Sequence, residues 1–163
     1  MYKKLFFIIS LAFVMVSCNK NSSSNGCPYT TPTDAASAAE ISTLKAYLDA
    51  NSLPYTQHTS GIFYNIVTPG TGTTVPGVCS AVLVKYSGRT TTSTTPFDQN
   101  TAGVAFTLGQ LIKGWQFGIP LIKKGGSIIL YIPPSLGYGS AGSGAAIPPN
   151  SYLIFSIDLV DYQ

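Results

Sequence analysis

The residues best placed to do chemistry lie between Phe106 and Asp158, and few of them titrate. Leu111 and Ile112 precede a Gly114–Trp115 step, and Trp115 is the only tryptophan of the chain. Trp115, Ile119 and Ile122 recur at helical spacing, with Gly125–Gly126 as the stop signal. Pro120 keeps that helix short, because a mid-helix proline loses a hydrogen bond and clashes with the preceding turn. Ser127–Pro133 reads as a buried strand. A Gly/Ser/Ala loop follows, and Ile147-Pro148-Pro149 leads into the strand Tyr152–Val160. An indole, several other aromatics and branched aliphatics thus gather around one helix and two strands, with no acid, base or metal ligand among them. Such a set builds a dry apolar cavity, whose chemistry must proceed without a proton donor. The other reactive side chains add little. The three cysteines lack CxxC spacing and the single histidine, His58, cannot complete a zinc site. His58 has no partner nearby in sequence and reads as an exposed loop residue.

The elements that position this cavity are mostly strands. Sixteen glycines and eleven prolines, spread along the chain, point to turn-rich β structure, and 45% hydrophobic residues suffice for one folded domain with extra N-terminal material. Gly61–Val67 and Cys79–Tyr86 alternate apolar and polar residues like half-buried strands, joined by the turn-rich Thr68–Gly77. The threonine-rich run Arg89–Pro96 reads as a solvated hairpin loop, with a flap over a site as the functional alternative. Thr33–Ala50 is an amphipathic helix, with Thr33 as its cap, Ile41, Leu44 and Leu48 on one face and Asn51 at its end. One four-turn helix buries little area for dimerisation, so it is expected to pack on its own domain and leave the protein a monomer.

The N-terminus reads as an export address. Met1–Ser17 opens with Lys3 and Lys4, continues through the apolar run Leu5–Val16 and fits a secretory signal peptide, the run being too short to span a bilayer. Met15-Val16-Ser17-Cys18 resembles a bacterial lipobox, with methionine in place of the usual leucine, and implies lipidation of Cys18. The expected location is the cell envelope, on the periplasmic side of a bacterial membrane, the outer membrane in particular. Asn19–Gly26 is a polar tether. In an exported chain the remaining pair, Cys27 and Cys79, suggests a disulfide that clips the tether's end to the domain. Removal of Lys3 and Lys4 leaves seven bases against six acids, with no basic stripe for nucleic acid.

Seven segments together resemble the FK506-binding-protein (FKBP) type of peptidyl-prolyl cis-trans isomerase: VLVKYSGR (Val82–Arg89), PFD (Pro96–Asp98), FTLG (Phe106–Gly109), LIKGW (Leu111–Trp115), LYIPPSLGYG (Leu130–Gly139), IPPN (Ile147–Asn150) and LIFSIDLV (Leu153–Val160). They stand in the family's order, from about Gly61 to the C-terminus. The resemblance implies an α+β fold in which a twisted antiparallel sheet of five to six strands wraps one short helix near Lys113–Ile122, with the N-terminal helix added. The corresponding segments are 1–17 signal peptide, 18–32 tether, 33–52 helix and 53–163 isomerase domain. It further implies a prolyl pocket with Trp115 as floor, Tyr86, Phe97, Ile112, Ile147 and Phe155 as walls, Leu111 beside them and Val104 or Phe106 completing the ring. The Ile112 N–H and Tyr138 would bond substrate carbonyls, and Tyr86, Asp98 and Tyr138 would be the catalytic polar groups. Asp98 stands alone there, an electrostatic or structural group more than a general base. No cofactor or metal is implied. Partners would be proline-containing unfolded or exported chains and FK506-like macrolides. The alternative is a folding helper or partner-binding module that uses the same cleft without turnover. The loop Gly139–Ile147 has no room for the inserted domain of chaperone-type relatives and carries only small side chains before Ile147.

Overall fold

The computed structural model describes residues 26–163. The signal segment and Cys18 lie outside the described residues, as does most of the Asn19–Gly26 stretch. Six strands form one antiparallel sheet: β1 (Thr56–Gln57), β2 (Phe63–Thr68), β3 (Ala81–Thr90), β4 (Asp98–Thr107), β5 (Gly126–Ile132) and β6 (Leu153–Tyr162). Their spatial order is β1-β2-β5-β6-β3-β4. Register lines up Tyr64, Leu130, Phe155, Gly88 and Asp98 in one row across five strands. Directly opposed residues share a face, so this row leads from the core to the pocket's rim.

Helix α2 (Lys113–Gly118) lies on that face, and two glycines let it approach. A Cβ on Gly114 would stand 2.6 Å from Ile132, and one on Gly118 2.5 Å from Leu130. The i, i+4 spacing puts both on one side of the helix, so the backbone of α2 rests directly on β5. The regular helix ends at Gly118 and only a 3-10 turn, Ile119–Leu121, continues it, with Ile122 already extended. The ending therefore falls earlier than the Ile122 expected from periodicity. Pro120 has no N–H to give to an α-helical ladder.

Helix α1 (Ala38–Ala50) covers the opposite face, as expected for packing on its own domain. Leu44 and Leu48 are fully buried there with Phe63, Tyr131 and Ile154. Each such side chain stabilises the fold by roughly 1.5–3 kcal/mol. The cap is Ser37 and not Thr33. Ser37 and Glu40 form a reciprocal capping box, while the Ala36 N–H is committed to the carbonyl of Ser60 at 2.8 Å, which keeps the preceding residues out of the helix. Glu40 also accepts from the N–H and hydroxyl of Ser135, both at 2.9 Å, tying α1 to the turn that follows β5.

Two further expectations are corrected. Sequence reading assigned no strand to residues 98–107, which form the edge strand β4. Its pairing with β3 jumps from Val84–Val104 to Tyr86–Asn100, a bulge that breaks the alternation, and Gly103 there has φ of 108°. His58 is half-buried instead of exposed: its Nδ1 accepts from the Ser60 N–H at 3.1 Å and pairs with the Ser60 hydroxyl at 2.9 Å. Its ring lies 5.6 Å from that of Phe117, and burial lowers its pKa.

Candidate active site

The floor of the site is Trp115, held in place by ring packing. Its indole makes edge-to-face contacts with Phe155 at 5.2 Å, Tyr86 at 5.3 Å and Phe106 at 6.4 Å. Only 4% of Trp115 is exposed, and its Nε1–H has no hydrogen-bond partner among the described residues. Phe97 stacks edge-on against Phe155 at 5.6 Å. Space for these two rings comes from Gly88 on β3, where a Cβ would lie 2.3 Å from Phe155 and 3.0 Å from Phe97.

These side chains enclose a cavity of ≈ 180 Å³ lined by Tyr86, Phe97, Asp98, Phe106, Leu111, Ile112, Trp115, Tyr138 and Phe155. Of the residues expected around it, two stand elsewhere. Val104 pairs with Val84 beyond the β4 bulge, which leaves Phe106 against the Tyr86 and Trp115 rings. Ile147 is buried in the core and borders a neighbouring cleft, shared with Phe97, Asp98 and Tyr138 and completed by Ser143 and Ala146. No residue of the main cavity was missed by the sequence reading.

Polar groups are few and sit at the rim. Tyr86 donates to Oδ2 of the exposed Asp98 at 2.6 Å, the short length typical of a bond to a charged acceptor. Burial, aided by that bond, pushes the Tyr86 hydroxyl up to about 12. Tyr138 is 36% exposed, and burial together with the charge of Asp98 raises its pKa as well. Ile112 caps α2 with its carbonyl, which accepts from Trp115 and Gln116, whereas its N–H has no acceptor among the described residues. The turn before it is fixed by Gln116, whose side-chain amide donates to the carbonyls of Leu111 at 2.7 Å and Gly109 at 3.3 Å. The cavity is thus bordered by the Ile112 backbone, aromatic walls and one carboxylate. Among the described residues no three His, Cys, Asp or Glu side chains stand together as a metal site.

Cys27 and Cys79 are brought together with their Cα atoms 5.9 Å apart, inside the usual disulfide range.

A twisted antiparallel sheet folded over one short helix, with an aromatic pocket between them, defines a class. The chain belongs to the FKBP-type peptidyl-prolyl cis-trans isomerase family, whose sequence profile matches residues 72–160. It is 44% identical over 105 residues to the probable FKBP-type peptidyl-prolyl cis-trans isomerase of Haemophilus influenzae, covering 63% of this chain and 43% of that protein. To FkpA of Escherichia coli K12 it is 42% identical over 107 residues, covering 64% of this chain and 38% of FkpA. The crystal structure of Escherichia coli FkpA superposes with a TM-score of 0.68 at 34% identity, over 77% of this chain and 60% of that one. FK506-binding protein 1 of Dictyostelium discoideum is 36% identical over 107 residues, 63% of this chain and 99% of that protein. The chain therefore spans about two fifths of the length of the two bacterial relatives.

Proposed function

We propose that the protein is a peptidyl-prolyl cis-trans isomerase that binds X–Pro segments of exported chains in the Trp115 pocket. The carrying observation is an aromatic cavity whose one charged group among the described residues is Asp98, with the Ile112 N–H beside it lacking an acceptor among those residues. Amide resonance sets a barrier of about 18–20 kcal/mol to rotation about the peptide bond. Twisting the bond breaks that resonance and makes the amide less polar across C–N, so a low-dielectric pocket favours the twisted state over the planar one. Each ~1.4 kcal/mol of that preference speeds the reaction tenfold. Trp115 supports the proline ring, and Tyr86, Phe97, Phe106, Leu111 and Phe155 exclude water. The Ile112 N–H and the Tyr138 hydroxyl hold carbonyls on either side of the bond, and Asp98, oriented by Tyr86, faces it with negative charge. No proton moves.

A proline-isomerisation assay on a tetrapeptide, with and without FK506, tests this reading. The protein should accelerate cis-to-trans relaxation and FK506 should suppress the acceleration. Folded protein that leaves the spontaneous rate unchanged would overturn it. We further propose that Cys18 carries a lipid anchor placing the monomeric domain on the periplasmic face of a bacterial membrane, and that Cys27 and Cys79 are disulfide-bonded in the exported chain. Intact mass of the mature protein checks both: a first residue other than a diacylglyceryl Cys18 contradicts the anchor. Labelling of Cys27 and Cys79 without prior reduction contradicts the bridge.

A further inference from the structure

The turn that presents the Ile112 N–H is braced from outside the sheet as well as from within it. From within, Leu108 and Gly109 donate to the carbonyls of Ser80 at 3.0 Å and Val78 at 2.6 Å, and Gln116 ties the carbonyls of Gly109 and Leu111. From outside comes the N-terminal arm, residues 27–37. The half-buried ring of Tyr29 presses on Gly109 so closely that a Cβ there would lie 2.4 Å from Tyr29 Cγ. Two residues earlier the arm is held where Cys27 meets Cys79. Further on, Asp34 pairs with Lys113 at 2.5 Å and Ala36 donates to Ser60. The arm therefore touches the turn on both sides of Ile112, at Gly109 and at Lys113.

We infer that this arm positions the Ile112 donor, and that Tyr29 is the positioning residue through which it acts. The inference rests on the isomerase reading, in which Ile112 holds a substrate carbonyl. Tyr29 does not line the cavity; it acts by fixing the backbone three residues upstream of the donor. A displaced donor weakens binding and alignment of the reacting bond while leaving the pocket walls in place.

The test uses the full mature chain with Tyr29→Ala, Tyr29→Phe and Gly109→Ala, which perturbs the same contact from the other side at a residue outside the left-handed region. Tyr29→Ala should lower kcat/KM on a proline tetrapeptide by about tenfold, chiefly through KM. Hydrogen-exchange protection of the Gly109 and Leu111 amides should fall, with that of the core strand amides of β5 and β6 retained. Tyr29→Phe should behave as wild type, since the ring makes the contact. Gly109→Ala should reproduce Tyr29→Ala, and the double variant should be no worse than either alone. Unchanged turnover in Tyr29→Ala, a loss of protection spread evenly over the sheet, or additive effects in the double variant would overturn the inference while the isomerase reading stands. A wild-type chain without isomerase activity would overturn both.

Discussion

The Tyr86 hydroxyl commits its hydrogen bond to Asp98. Among the described residues no His or Cys borders the cavity, and Tyr86 is pushed up to about 12 by burial and by its bond to Asp98. Isomerisation should therefore run at a nearly constant kcat/KM between about pH 5.5 and 8, where a His base would show a step. A tenfold change following one titration in that window, with the fold intact, would overturn catalysis by desolvation. Asp98→Asn and Tyr86→Phe should each weaken turnover without abolishing it, because each keeps the wall, the first losing only a negative charge and the second only a hydroxyl. Phe155→Ala is a different case. It removes a ring that touches Trp115 and Phe97, and should destabilise the fold by about 3–5 kcal/mol in urea unfolding. The pocket was legible at this scale because its aromatics lie in short sequence words of fixed order. Choosing between Val104 and Phe106 was not possible, because a bulge changes which residues meet across the strands and leaves no mark in residue type.

Helix α2 rests on β5 through Gly114 and Gly118, so a single methyl group should lift the element that carries Trp115. Gly114→Ala is expected to cost about 1–3 kcal/mol through overpacking against Ile132, read as a lowered urea midpoint with reduced turnover. Helix α1 gives a pH-dependent counterpart. Burial opposes the charge of Glu40, but the N–H groups of Ser37 and Ser135 and both serine hydroxyls outweigh it and hold the carboxyl below its ordinary value. A depressed carboxyl contributes stability that is present above its unfolded-state value and is lost as pH falls through the folded one. The difference in stability between wild type and Glu40→Gln should therefore persist from pH 7 down to about pH 5 and shrink below about pH 4.5. A difference that grew on acidification would contradict this. Both helices were legible from periodicity and from Pro120. The edge strand β4 was not, because DQNTAGVAFT holds five polar residues, a bulge and a positive-φ glycine where an alternating pattern is needed. The true cap Ser37 carried its own signal, a serine followed three residues later by glutamate, which the earlier threonine obscured.

At the scale of the molecule, the arm, the sheet and both helices are linked by a few contacts far apart in sequence. One of them is the clip of Cys27 against Cys79, separated by 52 residues. Closing a loop of that length should stabilise the fold by about 4 kcal/mol on the chain-entropy model. Reductant should lower the thermal midpoint of wild type and leave a Cys27→Ser/Cys79→Ser variant unmoved. The same clip has a consequence for where the proposed enzyme can work. If Cys18 carries the lipid, as proposed, nine residues separate it from the clip at Cys27. Fully drawn out, nine residues measure about 30 Å, roughly the diameter of a small domain. A catalyst anchored in that way would be confined to a thin shell above the membrane at high effective concentration. It would serve chains as they emerge at that surface in preference to those already adrift.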